Sequence, residues 1–498
     1  MTVEIGTGSH LKLDNIVSVS RNYEDVKISS DALNVMMRSR RALEELIHGN
    51  IKIYGVNTGG LGDLYNITVN PEDVARYSLD MIIDHSMGIG DYAPDDWVRA
   101  TMLIRAHQLS LGYSGIRSLI TERLINFLNL RITPLVPRFG SVGASGDLAP
   151  LAHIALTLLG KGFVKYQGRA MSSAEALRAA GLDELKLSYK EALSLINGTS
   201  YSAAVASLGI WDSFRLLRAS LAVMALVIEA SRAGTAPLSI EINSVKLHNG
   251  ENEVARALTE LLSDSRNANT SGRVQDPYSI RCIPQVLGSV LDAFTWSLRN
   301  VLNEVNSVSD NPVIIGNGVF STCHFHGQYI AISTDLLNMS LVVLGNLIER
   351  QVTQLLRREI NGANNYLANG PWRVGLMLTQ YTAAALAAKL RESSVPSTVQ
   401  NIPTSGFQED VNSMSANSAI KLHEINSLIM QLISILAYVS YSVISANNAC
   451  AGCGKATTRI YDTIGKYISS AQTHNEAVTR LMGSIDELSG FIELRVSP

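Results

Sequence analysis

Residues 428–445 read LIMQLISILAYVSYSVIS, the longest apolar run in the chain. Apolar positions recur there at intervals of three or four residues, as on one side of an α-helix: Ile425, Ile429, Leu432, Leu436, Val439 and Val443. The other sides are also largely apolar, as expected of a helix inside a bundle. The run is close to the minimum length of a membrane span. Gln431, several serines and two tyrosines interrupt it, so we interpret it as a buried helix.

A second stretch repeats this spacing: Leu337, Leu341, Leu344, Ile348, Val352 and Leu355. Both helices should exceed about 20 residues, or about 30 Å in length. Long helices laid side by side bury a continuous core and can carry catalytic groups on their inner faces. The sequence therefore predicts a mainly α fold. We expect a bundle of long helices over residues 196–498 and a smaller, mixed, loop-rich part over residues 1–195.

The pattern in the N-terminal part is more varied. Residues 1–30 favour extended or irregular structure, residues 30–48 and 95–132 have helical spacing, and residues 162–172 favour a short strand pair. Residues rich in Gly, Asn and Ser predict loops at 53–66, 265–273 and 361–370.

Composition excludes several classes of protein. The 498 residues carry a net charge of −3, which argues against a large nucleic-acid footprint. Four cysteines are too few for a disulfide-stapled secreted scaffold, and no basic segment followed by an apolar one marks a signal peptide. We expect a cytoplasmic protein without a membrane or nucleic-acid partner. Cys450 and Cys453 form a lone CxxC, either two small residues near a helix end or a redox pair. No metal site is predicted.

Residues 140–153, GSVGASGDLAPLAH, are mostly small or turn-forming. Because glycine permits close backbone approach, a tight turn can bring the Gly146 nitrogen to the carbonyl carbon of Ala144. Attack there closes a five-membered ring. Loss of water from the ring, and of the Ser145 hydroxyl as a second water, leaves an imidazolone with an exocyclic methylene. That group is an electrophile, which no ordinary side chain supplies. Taken alone, an Ala-Ser-Gly tripeptide indicates only a plain loop.

The full stretch resembles the signature of the aromatic amino acid ammonia-lyases, which build the electrophile 4-methylidene-imidazol-5-one (MIO) from Ala-Ser-Gly. Other segments resemble motifs of that family in the same order: YGVNTG at 54–59, LINGT at 195–199, QDPYSIR at 275–281, SDNP at 309–312, FHG at 325–327 and QED at 408–410. The resemblance covers nearly the whole chain. It implies an amino acid substrate, a cofactor made from Ala144, Ser145 and Gly146, and no external cofactor.

The resemblance also implies roles for single residues. Tyr54 is the candidate base for the β-proton of the substrate, on the expectation that neighbouring cations or backbone donors lower its pKa. Tyr278 is expected to assist proton transfer or hold the MIO oxygen. Arg281 suits the substrate carboxylate, because its planar fork makes two parallel bonds.

The remaining candidates lie around these groups. Asn197 is expected to bond near the MIO, Gln275 near the amino acid backbone, and Phe325 to wall the ring pocket. Asp147 and Asn311 are interpreted as structural supports of the loop.

Two residues indicate the substrate. By resemblance, His85 stands where the histidine-specific members have histidine, and an imidazole can hydrogen-bond a substrate imidazole. Glu409 gives the QED of those members, where the phenylalanine-specific ones have an amide. Histidine is thus the expected substrate and urocanate the product.

Departures from that pattern leave a tyrosine or phenylalanine lyase, or an aminomutase, as the alternative. VNSM follows QED at 411–414, Cys323 and His324 precede Phe325, and Ser86 follows His85. A helical scaffold with a dead active site is the alternative of a different class. The family further implies a homotetramer whose active sites are shared between chains.

Overall fold

The structure is a computed structural model that describes residues 2–59 and 67–495. The chain forms two compact units, and neither is one continuous stretch. Unit 1 comprises Met1–Leu208, Arg299–Asp335 and Ser397–Ile420, and unit 2 comprises Gly209–Leu298, Leu336–Pro396 and Lys421–Pro498. The chain first changes unit close to the boundary predicted at residue 195. Two later segments, Arg299–Asp335 and Ser397–Ile420, belong to unit 1 again, so one boundary in the sequence does not describe the two units.

The chain is mainly helical, as predicted. Within the described residues 2–59 and 67–199, eight helices begin: α1 (Leu13–Arg21), α2 (Ser30–His48), α3 (Val74–His85), α4 (Asp95–Leu109), α5 (Ser118–Asn129), α6 (Leu148–Leu158), α7 (Ser173–Ala180) and α8 (Glu191–Ile196). The later helices are α9 (Ser200–Ser231), α10 (Ile240–Asn243), α11 (Asn249–Leu261), α12 (Tyr278–Arg281), α13 (Ile283–Val305), α14 (Gln328–Leu355), α15 (Arg358–Asn361), α16 (Met377–Glu392), α17 (Ser415–Ala446), α18 (Lys455–Ile468), α19 (His474–Leu481) and α20 (Ile485–Ser489).

The strands are short and all belong to unit 1. They are β1 (Thr2–Ile5), β2 (Asp25–Ile28), β3 (Ile89–Tyr92), β4 (Thr133–Pro134), β5 (Pro137–Phe139), β6 (Phe163–Tyr166), β7 (Arg169–Ser172), β8 (Val313–Ile315) and β9 (Gly318–Phe320). β1 and β2 pair in parallel, and the pairs β3–β5, β4–β6, β6–β7 and β8–β9 are antiparallel. The strand pair predicted at 162–172 is confirmed as β6 and β7.

The long helices pack as the apolar stripes predict. Within unit 2 the rings of Phe214 on α9 and Phe294 on α13 stack with centroids 4.9 Å apart. The Ser213 hydroxyl of α9 donates to Asn426 Oδ1 of α17 over 2.9 Å. All twelve positions of the two predicted stripes are at most 1% exposed. α14 and α17 are long and apolar enough to cross a membrane, but 67% and 61% of their most apolar windows are buried inside the protein, which favours a core role.

Residues 1–30 were expected to be extended or irregular, and that expectation is wrong over α1. Its sequence, LDNIVSVSR, has weak helix propensity, with β-branched and short polar residues. Tertiary contacts supply the stability instead. Ile16 and Val19 are fully buried, and Arg21 Nε donates to Asp96 Oδ2 of α4 over 2.9 Å. Residues 60–66 of the predicted 53–66 loop lie outside the described residues.

Candidate active site

The Ala-Ser-Gly tripeptide lies in the turn between β5 and α6, in unit 1. Gly143 and Gly146 both have positive φ, +66° and +70°, which glycine adopts without strain. A Cβ on Gly146 would lie 2.3 Å from the carbonyl oxygen of Gly198. No other residue type fits there, because the backbone of Gly198 packs directly against Gly146.

Buried polar groups hold the turn on its Gly146 side. Asp147 is fully buried, and its amide donates to Gly198 O over 2.8 Å. Its carboxylate accepts from the amide of Ser202 over 2.7 Å and from the hydroxyl of Ser141 over 2.7 Å. Burial raises the pKa of Asp147, although these hydrogen bonds oppose the shift. Asp147 is thus a structural support, as the sequence indicated.

A second set of contacts holds the Gly143 side. The Ser413 hydroxyl donates to Gly143 O over 2.6 Å, and Met414 N donates to Val142 O over 2.8 Å. The VNSM segment therefore contacts the tripeptide turn directly. These contacts come from Ser413 and Met414. Val411, where the segment departs from the pattern of the histidine-specific members, lines the cavity.

Asn197 is the side chain that contacts Ser145. Its Nδ2 donates to Ser145 O over 2.8 Å and lies 3.1 Å from Ser145 Oγ. Asn197 is 2% exposed, and within the described part of the chain its Oδ1 has no hydrogen-bond partner. A buried acceptor without a partner is costly unless a ligand satisfies it. Together with the room that glycine gives the turn, this geometry fits an MIO formed at residues 144–146.

A cavity of about 590 Å³ opens in front of Ser145, and unit 1 alone forms it. Seven of the eleven sequence-predicted site residues line it: Tyr54, His85, Ala144, Ser145, Asn197, Phe325 and Glu409. Gly146 lies directly behind this wall. The structure thus brings together residues that are up to about 350 positions apart in the sequence.

The surroundings of Tyr54 differ from the expectation. Burial, and then the charge of Glu409, raise the pKa of Tyr54, so the groups of one chain favour the phenol over the phenolate. The sequence pattern predicted the opposite direction, because it gave no information on which charges come close. The Thr404 hydroxyl donates to Glu409 Oε2 over 2.7 Å, which fixes the carboxylate at the cavity wall.

The tautomer of His85 follows from its contact at the end of α3. Its Nδ1 lies 2.7 Å from the carbonyl oxygen of Met81. A carbonyl only accepts, so Nδ1 carries the proton, and in the neutral ring Nε2 is an acceptor. His85 therefore offers an acceptor to a donor on a ligand ring. An imidazole N–H or a phenol O–H satisfies it, and a phenyl ring does not.

Gln275, Tyr278 and Arg281 belong to unit 2 and are not among the residues that line the cavity. Tyr278 begins α12 and is 72% exposed in the single chain. The Arg281 guanidinium lies 4.8 Å from the centre of the Tyr278 ring, at cation–π distance. This segment is a compact cationic and aromatic group on the surface of its unit.

Sequence reasoning missed three further residues that line the cavity, Tyr77, Asp80 and Asp84. All three lie on α3 at spacings of three and four, as His85 and Met81 do, so they share one helix face. That spacing was the available signal. Burial raises the pKa of Tyr77 to about 12, and its hydroxyl donates to Thr58 O over 3.3 Å, which makes Tyr77 a neutral donor.

The CxxC of unit 2 does not have the properties of a redox pair. Burial and the charge of Glu229 raise the pKa of Cys453 to about 12, and burial also raises the pKa of Cys450. Thiols held protonated are poor nucleophiles. The structure favours the interpretation as two small residues near a helix end.

Comparison with known proteins agrees with this geometry. The family model described as aromatic amino acid lyase matches residues 11–466. Histidine ammonia-lyase of Streptococcus sanguinis (strain SK36) is 36% identical over 465 residues, 93% of this chain and 90% of that protein.

Solved structures share the fold. Pantoea agglomerans phenylalanine aminomutase has a TM-score of 0.93 at 31% identity, and the match covers 99% of this chain and 99% of that chain. Histidine ammonia-lyase from Trypanosoma cruzi has a TM-score of 0.90 at 26% identity, with 99% of this chain and 96% of that chain covered. The likeness thus extends to both lyases and aminomutases.

Proposed function

The chain belongs to the aromatic amino acid lyase family, and from that premise we propose that it eliminates ammonia from L-histidine to give trans-urocanate. Two residues support this choice of substrate: His85 requires a ring that carries a hydrogen-bond donor, and Glu409, as in the QED of the histidine-specific pattern, favours imidazole over phenol. The Nδ1 of His85, a residue that lines the cavity, is committed to Met81 O, so its Nε2 is left as an acceptor that the imidazole N–H of histidine can satisfy. Glu409 adds a second acceptor on the same cavity wall.

We propose that the cofactor is MIO made from Ala144, Ser145 and Gly146, without an external cofactor. When formed, it supplies an electrophile for the amino group of the substrate. Asn197 holds the Ser145 carbonyl oxygen through Nδ2.

Other residues remove the β-proton and bind the substrate in this proposal. Tyr54 takes the β-proton, and Tyr278 assists. Because burial and Glu409 raise the pKa of Tyr54, its activation needs cationic groups beyond those that line the cavity. The substrate cation or Arg281, which we assign to the substrate carboxylate, can provide them. Gln275 bonds the amino acid backbone, and Phe325 walls the ring pocket.

Tyrosine or phenylalanine elimination, or an aminomutase reaction, is the second candidate. Two observations favour it: Val411, the first residue of VNSM, lines the cavity, and so does Cys323, and both depart from the histidine-specific pattern. A catalytically dead helical scaffold is the candidate of a different class.

The test is the absorbance of the purified protein incubated separately with L-histidine, L-tyrosine and L-phenylalanine, because each acrylate product has its own band. NMR of the same mixtures detects a β-amino acid. Urocanate from histidine alone supports the proposal. Coumarate, cinnamate or a β-amino acid would assign the second candidate. No product from any of the three, with a Ser145 peptide of unaltered mass, would assign the scaffold.

We further propose that the enzyme is a cytoplasmic homotetramer with active sites shared between chains, and that it has no nucleic-acid or membrane partner. Large apolar side chains remain exposed on the single chain. In unit 2 these include Trp372 (94%), Tyr381 (61%) and Val343 (46%). Exposed apolar side chains of this size favour subunit contacts.

A further inference from the structure

Asn197, whose side chain hydrogen-bonds Ser145, is itself hydrogen-bonded by a buried cation, the guanidinium of Arg105. Asn197 is the C-cap residue that follows α8, and its carbonyl oxygen accepts from Arg105 Nη2 over 2.8 Å. The same Nη2 donates to the carbonyl oxygen of Ser194, also at the end of α8, and Nη1 donates to Ser309 Oγ over 3.3 Å. Arg105 is only 2% exposed. Its guanidinium therefore bridges the last carbonyl groups of α8.

The chain is built to admit this guanidinium. A Cβ on Gly198 would lie 2.1 Å from Arg105 Nη1 and 2.7 Å from Ser309 Oγ. On the other side, a Cβ on Gly146 would lie 2.3 Å from Gly198 O. The tripeptide turn, the backbone at residue 198 and the Arg105 guanidinium are thus three layers in direct contact. Glycine at both positions is the condition for that packing.

Charge balance around Arg105 is unusual. Asp310 lies 4.0 Å from Arg105 and 2.8 Å from Lys190 Nζ, and all three groups are almost completely buried. Two cations thus flank Asp310, and the buried carboxylate of Asp147 also acts on Arg105. Lys190 precedes α8 with φ of +70°, a strained conformation for a non-glycine residue, and its Nζ also donates to Ser194 Oγ over 2.8 Å. The cluster fixes both ends of α8.

We propose that Arg105 is a positioning residue of the reaction. Its guanidinium fixes the carbonyl of Asn197 and so sets the Asn197 amide on the Ser145 carbonyl oxygen. The inference rests on the proposed function, because it assigns Arg105 to the reaction at Ser145. Arg105 touches neither the cavity nor Ser145, so it acts through Asn197. The Asn197 side chain delivers the hydrogen bond, and Arg105 determines where it points.

The cluster offers a matched control. Arg105→Met and Lys190→Met each remove one cation and leave Asp310 with one partner, so both keep a neutral buried pair. Only Arg105→Met removes the contact to Asn197. We expect kcat to fall roughly 100-fold in Arg105→Met, the scale of misplacing a reacting group by about 1 Å, and KM to change much less. We expect a clearly smaller fall in Lys190→Met, and equal falls would overturn the proposal.

A double-mutant cycle tests whether Arg105 acts through Asn197. In an Asn197→Ala background, Arg105→Met should lower kcat little further. Additive losses would contradict the proposal. If Arg105→Met does not fold, Arg105→Lys replaces it, because it keeps the charge and loses the bridge of two carbonyl groups. A Lys variant with wild-type kcat would also contradict the proposal.

A structural readout separates this inference from the proposed function. In crystals of Arg105→Met we expect the Asn197 amide to leave hydrogen-bonding distance of Ser145 O, whereas in Lys190→Met it should remain. An unchanged bond in Arg105→Met would overturn the positioning role, whatever the substrate is. If instead the wild-type protein turns over none of the three amino acids, the proposed function fails, and this comparison still tests Arg105.

Discussion

The carbonyl oxygen and the hydroxyl of Ser145 both accept hydrogen bonds from one side chain, that of Asn197. Because the proposed MIO would be made from this serine, Ser145→Ala should leave the fold intact and lower activity by roughly 10³-fold or more. Mass spectrometry of the peptide that contains residue 145 should show two waters missing in the wild type and none missing in the variant. A variant with wild-type turnover would refute an electrophile made from Ser145.

The choice of substrate can be tested at another single residue, His85. His85→Leu removes the acceptor that faces the cavity and leaves the tripeptide turn untouched. We expect kcat/KM for histidine to fall by about 10- to 100-fold, the effect of one lost hydrogen bond to a buried polar group. The Ser145 peptide should still lose two waters. Ile83→Leu, at an exposed position of the same helix, is the control. Equal turnover by both variants would make His85 structural.

Glu304 predicts a pH dependence of stability. Burial raises its pKa from 4.5 to about 7, although the Thr199 hydroxyl donates to it over 2.6 Å. A carboxyl with a raised pKa in the folded state contributes stability that is present below pH 4.5 and is lost as pH rises through 7, by at most about 3 kcal/mol. Glu304→Gln should remove this loss. Its melting temperature should exceed that of the wild type by more at pH 8 than at pH 5, and an equal difference at both values would contradict the shift.

Motifs in the sequence indicated several of the residues that line the cavity, and residues brought in by the fold could not be predicted. Ser145, Asn197 and Glu409 were identified from their motifs, and the cavity contains all three. Arg105 lies in the middle of α4, where a buried arginine has no recognisable pattern. The direction of the pKa shift of Tyr54 was also beyond the sequence, because it depends on which charges lie nearby.

For the secondary-structure elements, most of what could be predicted came from the helical periodicity of the apolar residues. The α14 and α17 stripes are long enough for the helical period to outweigh local exceptions. α1 was missed because its nine residues give a short window and weak propensity, and its contacts with α4 provide the stability. Contacts between backbones of different helices were also not predictable, since glycine within a helix usually indicates only reduced stability.

One such contact joins α11 and α13 in unit 2. A Cβ on Gly288 would lie 2.4 Å from the Cα and N of Glu251, which are backbone atoms and cannot rotate away. Gly288→Ala should therefore destabilise the protein by about 1–3 kcal/mol, although alanine is the better helix former. Ser289→Ala, the exposed neighbour, should change stability by less than about 0.5 kcal/mol. Thermal unfolding measures both, and a Gly288→Ala variant as stable as Ser289→Ala would show that the helices can separate at little cost.

In the whole molecule, each unit is assembled from separate segments of the chain, and the order of residues along the sequence does not show which segments belong together. Unit 1 collects three separate segments, and all of them contribute to the cavity wall. The order of motifs along the chain predicted that these residues act together. It did not predict that the motif at 275–281 belongs to the other unit.

That motif leads to a prediction about assembly. Tyr278 is 72% exposed in the single chain, which is unsuitable for a residue that assists proton transfer unless another subunit covers it. If Ser145 and Arg281 of each active site come from different chains, two inactive variants should complement each other. Ser145→Ala and Arg281→Met, co-expressed with distinct tags and purified as mixed assemblies, should regain about a quarter of wild-type activity, because random mixing leaves that share of sites intact. Each variant alone should stay inactive. Mixed assemblies without activity would place both residues of a site in one chain.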